Sequence, residues 1–68
     1  MNARERCIQE LAQWFVKHRR HMTMKEMRPI VAKHFPQEAE ATRFCRYLTS
    51  KRGQAAFRER LKEEKERR

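Results

Sequence analysis

Five side chains in this sequence have the chemistry to ligate a metal: His18, His21, His34, Cys7 and Cys45. Structural zinc sites draw their ligands from closely spaced pairs such as C-x-x-C. No such pair occurs, and these five would have to converge from separate segments. His18 falls on one helical stripe with Cys7, Leu11 and Trp14, where a neutral, partly buried or helix-capping histidine is the simpler reading. Paired-carboxylate catalysis is no better supported. The chain has no Asp, and Glu38 and Glu40 fall in the first turn of a predicted helix, where the helix dipole accounts for them. Thr49 and Ser50 put hydroxyls near Lys51 without a glycine-rich cradle or a histidine–carboxylate partner. The expectation is a protein with no cofactor, no metal and no reaction of its own.

What remains is electrostatic. Lys and Arg number 18 against 9 Asp plus Glu, a net charge of +9 in 68 residues. The excess is uneven: residues 17–52 hold ten basic and three acidic groups, whereas residues 1–16 hold two of each. Such a field attracts polyanions, and salt weakens the attraction. Arg43 and Arg46 project from one face of a predicted helix, where a guanidinium can reach a guanine edge with two hydrogen bonds. Lys51, Arg52, Arg19 and Arg20 suit phosphate contacts, and Arg28 and Lys33 add charge on the preceding segment. The partner expected first is double-stranded DNA, bound in a regulatory or accessory role. RNA is an alternative, since Tyr47 lies beside the two arginines and can stack on a base. An adaptor or inhibitor of an acidic protein, anchored by Met22, Met24 or Phe57, is another. A basic amphipathic first helix also allows weak contact with a membrane surface. Pairing of two copies would enlarge the small interface.

These side chains must be positioned by helices. Cys7, Ile8, Leu11, Trp14 and Phe15 recur on one stripe, which predicts a first helix over 3–18 with Trp14 and Phe15 facing inward. Asn2 and Glu5 have capping-box spacing at its start. A second box, Thr23 with Glu26, opens the next segment, and Met22 and Met27 are placed to form a hydrophobic staple across it. Pro29 predicts a defect in this helix, or a restart at that residue. Phe35-Pro36 ends it. From Gln37 to Ser50 the stripe Ala41, Phe44, Cys45 and Leu48 turns inward, with Arg43 and Arg46 outward. Gly53, the only glycine, is expected to be a left-handed cap or hinge. Beyond it the sequence favours helix with a frayed end, laced by Glu63–Arg67 and Glu64–Arg68 pairs.

The fold expected is all-α, a bundle of three or four helices with a helix-turn-helix-like arrangement of the middle pair. The compact domain is read as 1–53 and the charged C-terminal helix as 54–68. Its core is small, drawn from Ile8, Leu11, Trp14, Phe15, Val16, Ile30, Val31, Phe35, Phe44, Tyr47, Leu48, Phe57 and Leu61 with Met22, Met24 and Met27, a size that usually supports only about 3–5 kcal/mol of stability. Two cysteines at wide spacing make no disulfide framework, which favours a reduced cytoplasmic setting. Neither a secretory h-region nor an apolar run long enough for a membrane span is present in the sequence.

Overall fold

A computed structural model of the chain describes residues 1–67. It is an all-α bundle of four helices: α1 (Ala3–His18), α2 (Met24–His34), α3 (Glu38–Thr49) and α4 (Lys51–Glu66). Cys7, Ile8, Leu11, Val31, Phe44 and Leu48 form the buried cluster, drawn from α1, α2 and α3, and Ala56 and Phe57 of α4 pack against it. Glu5 and Ile8 share a groove with Ala56, Glu59 and Arg60, and Phe15 and Arg19 share one with Lys65. Those pairings advance together, so α1 and α4 run side by side in the same general direction.

The helix starts follow the local sequence closely. Asn2 Oδ1 accepts from the Glu5 amide at 2.8 Å, although the return bond from the Glu5 side chain is not made. At α2 the box is complete: the Glu26 amide donates to Thr23 Oγ1, and the Thr23 amide donates to Glu26 Oε1 at 3.0 Å. Met22 and Met27, on either side of that cap, line the same small cavity. Pro29 leaves the Lys25 carbonyl without its amide partner, yet α2 is a single element and does not restart there. The three residues Phe35, Pro36 and Gln37 then separate α2 from α3, and Phe35 stacks on Phe44 with ring centroids 4.9 Å apart.

Several expectations are overturned. Gly53 is neither a left-handed cap nor a hinge. It lies buried in the first turn of α4 with an ordinary negative φ. Its role is steric, since a Cβ there would meet the Tyr47 carbonyl oxygen at 1.9 Å and the Leu48 Cα at 2.7 Å. The helix boundary falls instead at Ser50. The left-handed residue is Arg19, at φ 56° and ψ 34°, whose amide donates to the Phe15 carbonyl and closes α1. Trp14 is only half-buried and stands outside the core cluster, its indole packed against the His18 ring and the Arg20 guanidinium. Met24 is 58% exposed. The end of α4 is helical to Glu66 rather than frayed, with Glu64 buried between Arg60 and Arg67. Arg67 pairs there with Glu64 rather than Glu63; the expected Glu64–Arg68 pair lies outside the described residues.

Candidate nucleic-acid interface

Helix α3 divides cleanly by exposure. Phe44 and Leu48 are buried and Ala41, Cys45 and Tyr47 half-buried, while Ala39, Thr42, Arg43 and Arg46 are exposed. Those four follow an i, i+3, i+4, i+7 spacing along one stripe of the helix, beside which Glu38, Glu40 and Thr49 are also exposed. Small residues and arginines are side chains suited to a groove floor: Ala and Thr methyls can meet a thymine methyl, and arginines a guanine edge. Glu38 and Glu40 occupy the first turn, where they favour the helix dipole but would repel phosphate. The cationic part of the helix is therefore its second half.

That half leads into an elbow made by one residue. The Ser50 hydroxyl donates to the Tyr47 carbonyl at the end of α3 and accepts from the Gly53 amide at the start of α4. Thr49 Oγ1 donates to the Arg46 carbonyl at 3.0 Å, and Gln54 Nε2 to the Leu48 carbonyl at 2.7 Å. The last-turn carbonyls of Arg46 and Leu48 thus acquire side-chain donors, and that of Tyr47 accepts from both the Ser50 hydroxyl and the Ser50 amide. Gly53 lets the two backbones close up, and Lys51 and Arg52, five and six positions after Arg46, are the exposed first residues of α4. That turn contains no acidic residue. Cations at a helix N-terminus oppose the dipole, so the placement is locally unfavourable.

The other four expected contact residues divide differently. Arg28 is exposed on α2 and makes no ion pair among the described residues. Arg19 is exposed at the left-handed cap, in a groove with Phe15, Val16 and Lys65. Arg20 is committed to Glu26 through two parallel bonds of 3.0 and 2.6 Å. Its guanidinium also lies 4.9 Å from the Trp14 ring centroid, and that ring stacks on His18 at 3.9 Å. Lys33 is held by Glu10 at 3.0 Å, where His34 Nε2 also meets the same carboxylate at 2.9 Å. Arg20 and Lys33 therefore already have carboxylate partners, whereas Arg43, Arg46, Lys51 and Arg52 have none among the described residues.

The carboxylates register these pairs. The Arg20 fork, followed by the Thr23 donors, lowers Glu26 from 4.5 to about 2. For Glu10, partial burial pushes upward, but bonds from His34 and Lys33 outweigh it and the net direction is down. Cys7 is raised to about 12, chiefly by burial and then by the nearby Glu10 and Cys45. A thiol held that high is a core hydrophobe. Neither cysteine is in a disulfide. Among the described residues no three His, Cys, Asp or Glu side chains gather as a metal site, and no helix is long and apolar enough to cross a membrane.

Of the apolar residues expected as anchors for a protein partner, Met22 and Phe57 line a cavity of about 200 Å³ with Leu11 and Leu48, which leaves Met24 as the exposed one. One contact escaped sequence reasoning altogether. The Arg4 guanidinium lies over the Tyr47 ring, 4.2 Å from its centroid, so the first turn of α1 covers a residue 43 positions away. Only the bundle's closure brings the two together, and no local spacing could have signalled it. Compared with protein-family models, with curated proteins and with solved structures, the chain shows no match.

Proposed function

We propose that this protein binds double-stranded DNA through the exposed stripe of α3 and the first turn of α4. Arg43 and Arg46 reach base edges and Lys51 and Arg52 hold phosphates, with α2 and the short Phe35-Pro36-Gln37 connector supporting α3 in a helix-turn-helix-like manner. One observation carries the reading: four exposed cations without carboxylate partners among the described residues follow one another across the elbow, two of them at a helix start where they cost stability. Local rules are most often broken where function requires it. A bound phosphate would reverse the sign of that cost, because helix N-termini attract anions.

Fluorescence anisotropy with labelled duplex DNA over a range of salt tests this directly. Binding is expected at low salt, with log K falling against log salt at a slope of about −2 to −4, the value for a few phosphate contacts. The double variant Arg43→Ala, Arg46→Ala should bind about tenfold or more weakly while keeping its helical circular dichroism. No duplex binding at low salt would end the proposal, and unchanged affinity in the variant would remove α3 from the interface.

A further inference from the structure

The groove between the first turn of α1 and α3 has a volume of about 520 Å³ and is lined by Arg4, Arg43, Glu40, Phe35, Phe44 and Tyr47. It combines aromatic rings with two arginines and one acid, and Asn2 and Ala3 complete its lining. Phe35 and Phe44 stack on each other and give the groove an apolar wall. Tyr47 is capped by the Arg4 guanidinium, and Arg4 itself is exposed. A guanidinium held over a ring offers a planar group at a fixed place, and nucleic-acid bases stack on such planes as they do on aromatic side chains. Arg43 lies one helical turn before Tyr47, so its charge stands at the same groove.

We infer that this groove holds one unpaired nucleotide of a bound nucleic acid, its base stacked on the Arg4–Tyr47 platform and its phosphate facing Arg43. A base inside a duplex has both faces covered by its neighbours, whereas an unpaired one can leave the stack and offer a face to the platform. Two arginines against one glutamate favour an anion, and Glu40 can accept from an N–H on the base edge. This occupancy rests on the proposed nucleic-acid binding, since Arg43 belongs to both surfaces. It adds a ligand class and a site that the α3 stripe alone does not provide.

The experiment compares four labelled probes by anisotropy at one low salt concentration: a blunt duplex, the same duplex with a short single-stranded overhang, that overhang with abasic sugars, and the single strand alone. The overhang should bind at least about fivefold more tightly than the blunt duplex, the gain of one stacked base. The abasic overhang keeps the phosphates and should lose the gain. Arg4→Lys keeps the charge but not the plane. It should bring the overhang down to the level of the blunt duplex and leave blunt binding and circular dichroism unchanged. Equal affinity for blunt and overhanging duplex overturns the inference, as does a gain that survives abasic substitution or Arg4→Lys. Binding of the single strand without any duplex would end the duplex proposal and retain the groove, whereas binding of no probe would end both.

Discussion

Glu26 accepts from four donors: both terminal nitrogens of Arg20, the Thr23 amide and the Thr23 hydroxyl, at 2.6–3.0 Å. One carboxylate therefore completes the α2 cap and ties the end of α1 to it. Because its folded pKa lies near 2 against an ordinary 4.5, the stability it contributes is fully present above pH 4.5 and disappears as the pH falls toward 2. Glu10, also lowered, acts in the same direction. Thermal unfolding followed by circular dichroism should show Glu26→Gln less stable than the parent at pH 7, with the two converging by about pH 2. A constant gap across that range would mean that the carboxylate's charge is not what matters. This capping residue was readable from the three-residue spacing of Thr23 and Glu26. The Arg20 and Lys33 pairs were not, because their partners come from other segments and the spacing rules are local.

At the level of elements, the four helices and most of their limits are legible in the hydrophobic stripes and the Asn2 and Thr23 caps. What sequence cannot show is how closely two backbones approach. Gly53 looked like a turn residue because glycine usually buys a positive φ, yet here the missing Cβ is what matters, and a non-glycine, Arg19, takes the left-handed conformation. The two positions should respond oppositely. Gly53→Ala gains about 1 kcal/mol of helix propensity but must push the Tyr47 carbonyl aside, so a net loss of about 2 kcal/mol is expected in urea unfolding. Arg19→Gly should stabilise by about 1 kcal/mol by relieving the left-handed strain. Stabilisation by Gly53→Ala would show that the elbow can open without cost. Trp14 departs from the stripe for a related reason: periodicity reports a face, but not that the connector after the helix brings Arg20 back over the indole.

For the molecule as a whole, a small core and a large net charge pull in opposite directions. The buried apolar side chains are Cys7, Ile8, Leu11, Ala12, Val31, Phe44 and Leu48, within a chain whose radius of gyration is 11.4 Å. Eighteen cations against nine acids repel one another over those dimensions, and salt relieves that repulsion. Raising sodium chloride should therefore increase Tm while it decreases duplex affinity, two responses of opposite sign from the same charges. A fall in Tm with salt would show that the ion pairs, rather than the net repulsion, dominate. Bound DNA should raise Tm in turn, because it stabilises only the folded form.

The single-residue junction between α3 and α4 also constrains how the chain can vary. Ser50 ends one helix and begins the next, so no loop residue is available to absorb a change in length. One residue inserted or deleted beside it would turn all of α4 by roughly 100° about its axis. Phe57 would then leave Phe15, and Glu64 would rotate out of its buried position. Exposed side chains at this junction can change without disturbing its packing, but its length is fixed. Any relative of this fold should keep the same count of residues between Phe44 and Phe57, even where little else in the sequence agrees.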